Sequence, residues 1–180
     1  MTQQDIYVNQ KAFVPFISAQ TLAQRVKELA KQLEKDYADK TVHFLGVLNG
    51  SFMFLSDLMK HYSLPSQVEF VKLASYQGLS SSGKVKEIFG LPNNLAGKHL
   101  VVVEDIVDTG LTMQFLLKEL NKSAAASVSI CTLLLKPEAL QQPIVEMKYI
   151  GFEIPNEFVL GYGLDYDGLG RNLNSIYKAK

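Results

Sequence analysis

The stretch VVVEDIVDTGLT, residues 101–112, decides how the rest of the chain is read. Three consecutive valines describe a strand buried on both faces, the pattern of a parallel sheet covered by helices. The chain then sets Glu104 beside Asp105, adds Asp108, and turns through Thr109, Gly110 and Thr112. An unpaired carboxylate is costly to bury, by several kcal/mol, so the pair is expected to face water or a ligand. Two bland readings stand beside that one: acids complementing a helix dipole, or a solvated loop.

Working outward, strands and helices alternate. Residues 18–37 repeat apolar side chains at Leu22, Val26, Leu29, Ala30 and Leu33, a helical spacing with Ser18 as its cap. TVHFLGVL (41–48) reads as a buried strand closed by NGS, and SFMFLSDLMKHY (51–62) as an amphipathic helix. QVEFVKLASY (67–76) is a strand, KHLVVVED (98–105) the central strand, and TMQFLLKELN (112–121) the helix after it. SVSICTLLLK (127–136) is another buried strand, and residues 144–166 supply short strands punctuated by Pro155 and Gly161. The alternation predicts an α/β fold with a mainly parallel central sheet flanked by helices. No internal repeat or linker divides it, so residues 1–180 are read as a single domain. Sheets of this kind bind ligands beyond the carboxyl ends of their strands, which directs attention to the loops after Leu48, Val103 and Leu135.

Composition excludes several classes. Eighteen basic and eighteen acidic residues give a formal net charge of zero, which disfavours a polyanion-binding surface. Cys131 is the only cysteine, so there is no internal disulfide and no cysteine-rich zinc site; within SICTLLLK it reads as a small buried hydrophobe. His43, His61 and His99 lack a second ligand at metal spacing. No apolar run approaches the ~20 residues that span a bilayer, and the N-terminus lacks a signal-peptide pattern. A cytoplasmic location is expected.

GLSSSGKV (78–85) fits most of the phosphate-loop pattern, but Val85 stands where magnesium needs a hydroxyl and no long helix pattern follows. The segment QGLSSSGK (77–84) is better read as a solvent loop, or as a lid that orders over ligand.

In DTGLT (108–112), backbone N–H groups at a helix start, flanked by hydroxyls, make a seat for a phosphate monoester. Two carboxylates close by are acceptors for vicinal hydroxyls. Together these describe a site for a phosphorylated ribose.

VVVEDIVDTGLT closely resembles the phosphoribosyl-pyrophosphate motif of type I phosphoribosyltransferases. GVLNGSFMFLSDL (46–58), SYQGLSSSG (75–83), LLLKP (133–137) and GFEIPNEFVLGYGLDYDGLGRNL (151–173) narrow the resemblance to the hypoxanthine-guanine phosphoribosyltransferases. It implies the type I fold, with a small hood built partly from the terminal segments and a flexible lid. It also implies transfer of ribose 5-phosphate from magnesium-bound phosphoribosyl pyrophosphate to N9 of a 6-oxopurine, hypoxanthine or guanine, with release of pyrophosphate.

Within the resemblance, Glu104 and Asp105 hold the ribose hydroxyls directly or through Mg2+, and Asp108, Thr109, Gly110, Leu111 and Thr112 surround the 5′-phosphate. Asp108 is the candidate general acid/base near purine N7; read without the family, it caps the following helix. Lys136 donates to the purine O6; without the family it is a solvated strand-exit lysine. Phe158, core on composition, stacks on the base, and Val159 offers backbone contacts. Asp165, beside the base, is a second magnesium contact and Arg171 a pyrophosphate contact; both are otherwise ordinary tail charges. Asn49 and Gly50 meet pyrophosphate through backbone amides, and Asn49 stands where many relatives carry lysine. Ser75 and Tyr76 begin the lid. The partners implied are phosphoribosyl pyrophosphate, a purine base and further copies of the chain, as a homodimer or homotetramer. An RNA-binding regulatory protein on the same fold, or a preference for xanthine, is the alternative.

Overall fold

β3 (Val42–Leu48) and β6 (His99–Val107) lie side by side at the centre of a six-stranded sheet, parallel and buried along almost their whole length. β4 (Ser66–Ser75) pairs parallel with the outer side of β3, and β5 (Val85–Phe89) closes that edge antiparallel. On the other side β7 (Ser127–Leu135) and β8 (Met147–Glu153) continue parallel, giving the order β5-β4-β3-β6-β7-β8. The computed structural model describes residues 4–75 and 85–180. Tyr76 and the expected lid at 77–84 therefore lie outside the described residues, and Ser75 is the last residue of β4. A strand begins at Val85, where a phosphate loop would need a helix.

Alternation along β6 divides the core in two. Val101 and Val103 pack with α1 (Ala19–Asp36) and α2 (Phe52–His61), while Leu100 and Val102 pack with α3 (Leu111–Leu120). The Ser18 hydroxyl caps α1 by accepting from the Thr21 amide at 3.1 Å, as its sequence predicts. Leu22, Val26, Leu29, Ala30 and Leu33 form the buried stripe of that helix, and Cys131 is buried in β7.

A second sheet joins the two ends of the chain. β1 (Ile6–Val8) and β2 (Lys11–Ile17) form a hairpin through Asn9 and Gln10, both at positive φ, the geometry of a tight two-residue turn. β10 (Ile176–Ala179) pairs antiparallel with β2, and β9 (Val159–Leu160) with β10. This hood carries Phe158 and, through the loop at 161–175, Asp165 and Arg171. No helix among the described residues is long and apolar enough to cross a membrane.

Candidate functional site

β6 does not stop at the carboxylates. Its parallel ladder with β7 continues through Glu104↔Thr132 and Ile106↔Leu134 to Val107↔Leu135. Glu104 and Asp105 are consequently inside the sheet and buried, at 7% and 9% exposure. Of the two surroundings expected for the pair, water or a ligand, bulk water does not apply; they line a cavity of about 420 Å³ above the strand ends, together with residues 106–110, Thr112 and Met113.

Burial pushes the Glu104 carboxyl well above its ordinary range, and the neighbouring charge of Asp105 pushes it further. Burial likewise raises Asp105, against smaller opposing effects that include the positive charge of Arg171. Glu104 Oε2 is buried with no hydrogen-bond partner among the described residues. Carboxyls raised in the fold favour it when protonated, so this contribution to stability is present below the usual carboxylate range and lost as pH rises through the raised values. A ligand offering hydroxyls or a cation would offset that cost.

The turn after β6 lines the same cavity. Gly110, at φ +79, is the N-cap of α3, and no side chain caps the helix. Asp108 is therefore not its cap. An added Cβ on Gly110 would also press on Ile144 and Leu140 at 3.0 and 3.1 Å. The first helical bond is Gln114 N–H to Gly110 carbonyl, at 2.9 Å. The leading amides of the helix thus have no partner within it. Thr112 lines the cavity, whereas the Leu111 side chain is half exposed outside it and only its amide, 3.5 Å from Thr109 Oγ1, belongs to the turn.

Asp108 instead meets Lys136. Lys136 Nζ lies 2.6 Å from Asp108 Oδ1, and the Lys136 backbone amide donates to the Val107 carbonyl at 3.0 Å. The lysine is buried, at 8% exposure, so the solvated strand-exit reading is also corrected. Adjacent parallel strands β6 and β7 end level with each other, which brings the two residues together across 28 positions of sequence.

A glycine stack locks the third side. A Cβ on Gly50, in the loop after β3, would overlap the Asp105 carboxylate. A Cβ on Gly163, at φ +102, would overlap the Gly50 carbonyl. The tail is thus pressed onto the β3–α2 loop, and that loop onto Asp105. Arg171 Nη2 pairs with Asp165 Oδ1 at 2.6 Å, and its Nη1 donates to the Gly163 carbonyl at 2.7 Å. Asp165 Oδ2 accepts from the Gly168 amide at 2.7 Å. Asn49 is exposed beside Gly50 and follows a cis Leu48–Asn49 bond.

Phe158 is not core. It is 45% exposed, while Val159 is buried in β9. Sequence reading passed over Gly163, whose GYG context was its one signal, and the side chains of Lys11, Phe13 and Tyr166 around Phe158.

Among the described residues no group of three His, Cys, Asp or Glu side chains stands ready to hold a metal ion. What the cavity offers a cation is oxygen: the unpartnered Glu104 Oε2 and the Asp105 carboxylate. Hard oxygen donors in small number fit Mg2+, which keeps waters and substrate oxygens as its remaining ligands.

Residues 17–167 match the family described as phosphoribosyl transferase domain. The chain is 41% identical over 166 residues to hypoxanthine phosphoribosyltransferase of Haemophilus influenzae, covering 90% of this chain and 92% of that protein. It is 44% identical over 160 residues to hypoxanthine-guanine phosphoribosyltransferase of Lactococcus lactis, covering 87% and 85%. The crystal structure of a Bacillus anthracis hypoxanthine-guanine phosphoribosyltransferase superposes with TM-score 0.82 at 37% identity, over 92% of this chain and 96% of that one.

Proposed function

The chain belongs to the phosphoribosyl transferase family, and from that premise we infer that it is a purine-salvage enzyme joining a 6-oxopurine to the ribose 5-phosphate of phosphoribosyl pyrophosphate. The products are the nucleoside monophosphate and pyrophosphate. One observation carries the assignment of roles: a buried, under-partnered carboxylate pair lines one cavity with the start of α3 and with Asp108, which is itself paired to Lys136.

Glu104 and Asp105 take the ribose 2′- and 3′-hydroxyls, directly or through Mg2+. The α3 amides, with Thr109, Gly110 and Thr112, seat the 5′-phosphate, where helix-start N–H groups and the helix dipole favour an anion. Gly50 and Asn49 present backbone to pyrophosphate; the Asn49 side chain is neutral, and Arg171 is the positive group assigned to that ligand. Mg2+, when bound, neutralises pyrophosphate oxygens, and Glu104, Asp105 and Asp165 are the residues to hold it.

Lys136 orients the base. An ammonium donates and does not accept, so it satisfies a 6-oxo group and penalises a 6-amino group. Phe158 supplies a stacking face and Val159 backbone contacts. Asp108 exchanges a proton at purine N7 as N9 attacks the anomeric carbon. In the free protein Lys136 holds that carboxylate in place; with base bound, the lysine's donors are shared between Asp108 and O6. Ser75 and Tyr76 keep the role the resemblance implies, at the start of the lid, where excluding water from the reacting sugar limits hydrolysis. The chain works as one domain over residues 1–180, as a homodimer or homotetramer, in the cytoplasm, with no nucleic acid or membrane partner.

The test is pyrophosphate release from the donor with Mg2+, run in parallel for hypoxanthine, guanine, xanthine, adenine and uracil. Release that depends on hypoxanthine or guanine, and is far slower with adenine and uracil, is the expected result. Retention on RNA without base-dependent release would replace this reading with the regulatory one.

A further inference from the structure

Lys11 belongs to no part of the machinery described above, yet its ammonium sits among three rings, one of them the Phe158 assigned to stack on the base. Lys11 Nζ is 5.2 Å from the ring centroid of Phe158, 5.4 Å from that of Tyr166 and 5.9 Å from that of Phe13. The rings also contact one another: Phe158 and Tyr166 meet edge to face at 5.6 Å and 78°, Phe13 and Tyr166 at 5.9 Å and 58°, Phe13 and Phe158 at 6.3 Å and 49°. All three distances from the ammonium fall within the ~6 Å range at which a cation is held by the negative face of a ring. Among the described residues no carboxylate pairs with Lys11.

The members of this cluster come from three places. Lys11 and Phe13 are two positions apart on β2 and so share a face of the hood. Phe158 immediately precedes β9, its carbonyl accepting from the Ala179 amide at 2.9 Å. Tyr166 follows Asp165 in the tail loop, and the same hairpin reaches that loop again where Asn9 Nδ2 donates to Asp167 Oδ2 at 3.5 Å. Phe13 is fully buried while Phe158 keeps 45% of its surface open. A half-open phenylalanine has little packing to fix its ring, so its orientation depends on the cation and ring edges beside it.

We propose that Lys11 is a positioning residue for the purine: its ammonium gathers Phe13, Phe158 and Tyr166 and sets the Phe158 ring at the angle on which the base stacks. It also ties that platform to the loop carrying Asp165 and Arg171, so that base and pyrophosphate ends of the site are held by one N-terminal hairpin. This rests on the stacking role assigned to Phe158 above.

The test compares Lys11→Met, which keeps an unbranched apolar stem and removes the charge, with Lys11→Arg, which keeps the charge. Lys11→Met is expected to raise KM for the oxopurine about threefold to tenfold, the consequence of withdrawing a cation from aromatic faces. KM for the ribosyl donor and kcat at saturating base should stay within about twofold, and Lys11→Arg should restore the base KM. In parallel, the ε-methylene protons of Lys11 in the unliganded parent chain should resonate upfield of solvated lysines because of the ring currents. An unchanged base KM in Lys11→Met, equal rises for base and donor, or ε-protons at the solvated position would each overturn the proposal. A parent chain without oxopurine turnover would count against the functional reading and not against the ring cluster, which the resonance position then decides.

Discussion

Asp108→Asn is expected to lower kcat by ~10²–10⁴, the usual worth of a positioned general acid/base, while donor affinity stays within about threefold. The substitution preserves shape and leaves the phosphate-seating amides untouched, so ground-state binding of the donor has little reason to change. What disappears is a group able to take and return a proton at N7. The 2.6 Å contact with Lys136 sharpens the reading. If Asp108 served only to balance that ammonium, the variant would show its loss in KM for the base rather than in kcat. Single-turnover rates and donor titration on both proteins separate the two cases, and comparable turnover would reject the acid/base role.

Lys136→Ala is expected to cut the hypoxanthine-to-adenine discrimination in kcat/KM by about 10–100-fold, the scale of losing a charged hydrogen bond in a buried site. Most of the change should come from slower use of hypoxanthine. Part should come from adenine, whose 6-amino group no longer meets an ammonium that cannot accept from it. The alanine variant also leaves Asp108 without its partner, so kcat falls for both bases and the ratio is the informative quantity. A ratio equal to the parent's would remove Lys136 from the specificity argument.

Much of this fold is legible because burial writes itself into period. The i, i+3, i+4 stripe of α1 and the unbroken valines of β6 identify helix and buried strand from local sequence, and the order of those elements already implies a parallel sheet. The site was legible to the extent that it lies at strand ends: residues 104–112, Lys136 and Gly50 all fall at or just beyond the carboxyl ends of β6, β7 and β3.

What local sequence hides is pairing over distance. That β6 stays hydrogen-bonded to β7 as far as Val107, drawing Glu104 and Asp105 into the interior, depends on residues 132–135. That Lys136 is buried on Asp108 depends on two strands ending level. Phe158 looks like core because an apolar side chain in FVLGY usually is; its half-exposed position is set by the hood, which is assembled from strands at opposite ends of the chain. The glycine stack is invisible for the same reason: Gly50 and Gly163 are required by each other and by Asp105, over 100 residues apart.

The most direct measurement is a crystal structure of the chain with the nucleoside 5′-monophosphate of an oxopurine. The account predicts ribose hydroxyls on Glu104 and Asp105, either in direct contact or across one cation, with the phosphate on the amides at 109–112. A ribose bound elsewhere, with both carboxylates still meeting only protein and water, would contradict it.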